Sequence, residues 1–210
     1  MVLIGVLVVF ALALGLAGAG YLWIRERGFS ARDQPGRMEE TVARRLRRLA
    51  VPAAGRDRRN PVAASSDVIR SGLDHFADHC AVCHANDGSG NTEVGRNLYP
   101  KAPDMRRRET QDLTDGELFY IIENGIRFTG MPGWGTGTPE GEQASWHLVR
   151  FIRHLPKLTP EELEVMSELN PKSPEEVKEE LEMQRFLEGG GEPPPPPPPT
   201  RHAHPGGANE

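Results

Sequence analysis

Cysteine is almost missing from this chain: only Cys80 and Cys83 occur among its 210 residues. With no second cysteine pair, a structural zinc site made of spaced Cys and His pairs lacks half its ligands. Apolar residues are also sparse, at 37% of the total, which supports one modest domain with flanks rather than two cores. Charge is absent from residues 2–24, and no basic residue precedes Arg25. At about 1.5 Å per residue, such a stretch crosses the roughly 30 Å hydrocarbon core of a bilayer. It is longer than an ordinary signal-peptide core and has no basic start, although Ala17-Gly18-Ala19-Gly20 offers small residues that a signal peptidase accepts. Residues 1–24 therefore read as an uncleaved membrane anchor, with a cleaved signal peptide as the alternative.

The two cysteines sit in Cys80-Ala81-Val82-Cys83-His84, the C-x-x-C-H signature of covalent c-type haem attachment. Two thiols one helical turn apart can each add across a vinyl group on one edge of a porphyrin. The next residue then turns its imidazole toward the iron, so one pentapeptide supplies both tethers and the proximal ligand. A thioredoxin-like redox pair would stand at a strand-to-helix turn, whereas residues 67–78 have helical character.

Such an iron needs a sixth ligand, and Met131 is the candidate. It lies in Thr129-Gly130-Met131-Pro132-Gly133-Trp134, a loop too rich in Gly and Pro for a regular element. The preceding residues, 115–124, read as a helix closed at Asn124-Gly125. Filling a gap in the core is the alternative use of Met131.

In these motifs the chain resembles the class I cytochromes c over roughly residues 62–169. Cys80, Cys83 and His84 match the haem motif, and Ile121 to Ile126 followed by Gly130 to Trp134 look like the family's axial-methionine loop. The resemblance implies an all-α fold in which an N-terminal helix crosses a C-terminal one around one covalently bound haem c. Gly72 and Phe76 match the first helix of that crossing, and Leu148 and Phe151 match the second. It further implies that a carbonyl of Pro100 or Pro103 orients the proximal imidazole, and that Trp134 lines the propionate side or simply packs. His75, His79, His147 and His154 are expected at the surface, with His75 and His79 pointing away from the sixth ligand.

Charge divides the remainder. Residues 25–61 hold eleven arginines and five acids. Within this juxtamembrane linker, residues 38–50 read as a basic amphipathic helix able to lie on anionic lipid, to stand solvated or to dock a partner. The haem domain, residues 62–170, has ten basic and seventeen acidic side chains, a balance that steers encounter with basic partners. Arg106, Arg107 and Arg108 interrupt it, as a solvated run, a propionate contact or a docking spot. Residues 171–188 read as an acidic helix opened by Ser173-Pro174-Glu175-Glu176. Residues 189–210 read as a disordered tail with a polyproline rod over 193–199 and the pair His202 and His204.

Together these readings describe a membrane-tethered monohaem cytochrome that carries single electrons by outer-sphere transfer and is not itself an enzyme. Its setting would be the periplasmic face of a bacterial inner membrane, in a respiratory or related chain, with redox proteins or a membrane complex as partners, lipid contact and no nucleic acid. The arginines after the anchor favour the opposite orientation by the positive-inside rule, and the haem motif outweighs them. The alternatives are a haem enzyme or gas sensor with an open sixth site, and a docking subunit of a larger oxidoreductase.

Overall fold

A computed structural model describes residues 2–28 and 30–190, and among these every regular element is helical. The expected polyproline rod, His202 and His204 lie outside the described residues. Helix α1 (Val2–Arg27) runs three residues beyond the apolar stretch, because Arg25, Glu26 and Arg27 are good helix formers. Its length and composition suffice to cross a membrane. Helix α2 (Arg37–Ala50) and the short α3 (Ala53–Arg56) follow.

The core begins at α4 (Ser66–His75), which Ser65 caps by accepting from the Val68 N–H. It continues without a break into a wide π-turn, Phe76–Cys80, and then into α5 (Ala81–His84). Short helices α6 (Glu93–Asn97) and α7 (Arg108–Gln111) punctuate the loop that follows. Helix α8 (Asp115–Asn124) opens with a reciprocal capping box between Thr114 and Glu117. Helix α9 (Pro139–His154) starts on Thr138 with proline in its first turn, and α10 (Pro160–Leu169) repeats that plan on Thr159.

Helices α4 and α9 cross with their backbones nearly touching. A β-carbon on Gly72 would stand 2.4 Å from the His147 carbonyl oxygen and 2.8 Å from Phe151 Cβ, so only glycine permits the approach. One turn on, the rings of Phe76 and Phe151 meet at 5.1 Å, and both side chains are fully buried. Leu148 is buried beside them, so the expected crossing is present residue by residue. Helix α8 joins through Phe119, stacked on Trp146 at 4.0 Å, with the Arg58 guanidinium 4.3 Å above Phe119. Met166 of α10 closes the core.

Two of the histidines expected at the surface are half-buried and bonded to a neighbouring helix. His147 bonds Ser71 across the crossing at 2.9 Å, and His154 bonds Glu162 of α10 at 2.9 Å, because both face a neighbouring helix. A second unit begins at Pro171 and contains α11 (Pro174–Leu187), capped by Ser173 with a reciprocal Glu176 bond. Lys172 and Glu180 pair along it at 2.6 Å.

Candidate functional site

Cys80, Cys83 and His84 end the α4–π–α5 helix, and the π-turn is what aims them. The Ala81 N–H reaches back five residues to the Phe76 carbonyl, which inserts one extra residue into the turn. The extra residue rotates everything downstream relative to α4, whose own face stays committed to α9. Phe76 thus remains in the core while Cys80, four residues later, lies at its margin. Nothing in the sequence marks this π-turn.

Past His84 the helix cannot continue. Ala85 takes φ 60° and ψ 156°, a conformation that costs a non-glycine residue energy and concentrates at functional sites. The released carbonyls are taken by the following loop: Thr92 Oγ1 donates to Cys83 O at 3.3 Å, and Gly90 N donates to His84 O at 2.8 Å. Gly95 lies so close to the Cys83 carbonyl that a β-carbon there would approach it to 2.2 Å. The motif is therefore clamped from behind by main chain.

His84 itself is buried, with the Phe76 ring 6.5 Å away, and its Nδ1 has no hydrogen-bond partner. Burial pulls its pKa down to about 4, so the imidazole is neutral and keeps a free lone pair at physiological pH. The expected bond to Pro100 or Pro103 is not formed. That stretch closes on the glycine turn instead, with Ala102 N donating to Gly95 O at 3.0 Å and its carbonyl lying against Gly90. Cys80 and Cys83 are free thiols, not joined to each other. Burial, with Cys83 adding a smaller electrostatic share, pushes the Cys80 thiol up to about 12, and burial also raises Cys83.

Met131, half-buried, lies on the loop from Gly125 to Gly137. This loop hangs from the end of α8 by main-chain bonds. Trp134 N donates to Ile122 O at 2.9 Å and Gly135 N to Glu123 O at 3.0 Å, which satisfies carbonyls that the helix end leaves open. Between those points Ile126 N donates to Met131 O at 3.1 Å, and the Met131 N–H is held by Thr129 Oγ1 at 3.1 Å. Gly125, at φ 67° and ψ −168°, makes the reversal, and a β-carbon on it would reach 2.6 Å from the Met131 carbonyl.

One contact brings this loop to the Cys–His helix, and a second brings it to the end of α6. Trp134 meets the His79 ring edge-on at 5.3 Å, and a β-carbon on Gly130 would touch Leu98 at 2.6 Å. His79, immediately before Cys80, therefore faces the methionine loop, contrary to the expectation that it points away. It also contacts the His75 ring at 4.8 Å and the Asp78 carboxylate at 3.0 Å.

Arg106 to Arg108 have a role that their sequence does not reveal. Arg106 bridges Asp104 at 2.8 Å and Asp87 at 2.9 Å, Arg107 adds a bond to Asp104, and Arg108 pairs with Asp112. The Arg106 hydrogen bonds hold the Asp104 carboxyl down at about 2. The first two arginines thus pin the loop behind the motif, where Met105 N also donates to Gly88 O at 2.8 Å.

Two unjoined thiols one turn apart, a neutral buried imidazole whose Nδ1 is orphaned, and a thioether on a loop reaching the same helix form a donor set that fits a covalently held haem. Residues 67–152 match the model of the family described as cytochrome C oxidase, cbb3-type, subunit III. No curated protein matches the chain.

Proposed function

We propose, from the match of residues 67–152 to that cytochrome family model, that the chain is a membrane-tethered monohaem electron carrier on the extracytoplasmic side of a bacterial inner membrane. Cys80 and Cys83 hold the haem covalently, and His84 and Met131 are the axial ligands. The observation that carries this reading is the buried, unpartnered His84 imidazole directly beside the two free thiols.

Bound there, haem supplies reversible one-electron storage at its iron. The chain's task is to hold the ligands still in both oxidation states. On the His84 side the clamped carbonyls and the Gly72 crossing fix the helix. The Met131 thioether, a soft donor, favours the reduced metal and raises the potential. Single-electron exchange with a partner then needs no proton transfer from the protein. The family's oxidase description favours a second use of the same chemistry, in which the chain is a fixed subunit delivering electrons inside a membrane complex.

The test is production in a host with c-type maturation. Haem should stay with the wild-type chain through denaturing electrophoresis and titrate as a single one-electron couple. It should be released from the Cys80→Ser/Cys83→Ser double variant. Haem retained by that variant, or absent from the wild type, would overturn the assignment.

A further inference from the structure

Helix α2 bears an apolar stripe that its own domain leaves exposed. Met38, Val42, Leu46 and Leu49 fall at i, i+4, i+8 and i+11 on one helical face and are 80%, 49%, 58% and 78% exposed. The same fourteen residues contain five arginines against Glu39 and Glu40, and Glu40 is engaged by Arg44 at 3.0 Å. A stripe of this kind in water would invite aggregation.

Two observations say what covers it. Residues 28–36 alone separate α2 from α1. At no more than about 3.6 Å per residue, nine residues keep the start of α2 within about 32 Å of the anchor's end. The net positive charge of α2 also complements one surface at that distance, the anionic headgroup layer. We propose that α2 lies in the headgroup layer of the membrane that α1 spans, with its apolar stripe at the acyl boundary and its arginines on the phosphates of anionic phospholipid. The proposal rests on reading α1 as a membrane span.

This contact orients the site. Glu39 of α2 accepts a hydrogen bond from the Tyr99 hydroxyl. The adjacent Leu98 packs on Gly130, next to Met131. Seating α2 on lipid therefore fixes which side of the Met131 loop faces the bilayer, and with it the direction from which a membrane-bound partner can approach.

The test is amide hydrogen exchange of the full chain in nanodiscs of phosphatidylcholine alone and of phosphatidylcholine mixed with phosphatidylglycerol. Amides of residues 40–50 should exchange on the order of tenfold or more slowly in the anionic discs. That protection should vanish in Val42→Glu/Leu46→Glu and in Arg44→Gln/Arg45→Gln, while residues 66–84 stay unchanged. Equal exchange in the two lipids, or protection that survives both variants, would overturn the proposal. So would protection in detergent that rises with protein concentration, since a second copy of the chain would then cover the stripe. Chain that fails to enter either disc would instead defeat the reading of α1, and the visible spectrum of the same discs reports the haem assignment independently.

Discussion

The helix that ends in His84 is wedged into the core, whereas the loop that holds Met131 is suspended from the end of α8. On the first side, Gly72, Phe76 and Phe151 lock α4 against α9, and the carbonyls of Cys83 and His84 are bonded by the loop behind them. On the second, five glycines and a handful of main-chain hydrogen bonds shape the turn, and most of its side chains are exposed. His84, one of the two proposed ligands, is thus inseparable from the fold. The other can be displaced while the fold survives, because its supports are local.

Breaking the first side should have the largest effect. Gly72→Val puts side-chain carbon where the His147 carbonyl already stands and forces the helices apart, at a cost of about 3 kcal/mol. Thermal unfolding of the matured protein should show a markedly lower midpoint and loss of the packed core; an unchanged midpoint would mean that the crossing is not tight.

The second side should respond differently. Gly125→Ala places a β-carbon in a backbone region that suits glycine and against the Met131 carbonyl, a strain of about 1–3 kcal/mol confined to the loop. Absorbance spectroscopy should report weakened methionine ligation while circular dichroism shows the helices intact. Loss of helix together with ligation would erase the contrast between the two sides.

The smallest effect is expected at the clamp behind the motif. The Asp104 carboxyl titrates at about 2 when folded against an ordinary 3.8, so its stabilisation is present above about pH 4 and is lost as pH falls toward 2. Asp104→Asn should remove about 1 kcal/mol at neutral pH. Denaturant curves of the two proteins should converge in that acid window, and a constant difference down to pH 2 would contradict the assignment.

Much of this contrast is visible in the residues themselves. Thr114, Glu117 and Gly125 bound α8, and Ser173 with Glu176 bounds the start of α11, because capping is a local exchange between side chain and main chain. Gly72 and Phe76 share a face with the same logic. The π-turn has no such local cause, since it reconciles a helix bound to α9 with a motif that must face elsewhere. Arg106 and Asp87 are nineteen residues apart, and His79 and Trp134 fifty-five, so those partnerships exist only once the chain has folded. The proline carbonyl expected at His84 makes no bond there; Ala102 N and Met105 N tie that stretch to the Gly95 and Gly88 carbonyls, a pairing that only the folded loop shows.

The central claim is that the loop delivers Met131 to the iron that His84 binds. The near-red absorption of the matured ferric protein tests it most directly. A sulfur-to-iron charge-transfer band that is present in the wild type and lost in Met131→Ala is the predicted result; a high-spin spectrum without that band in the wild type would contradict it and leave the sixth site open.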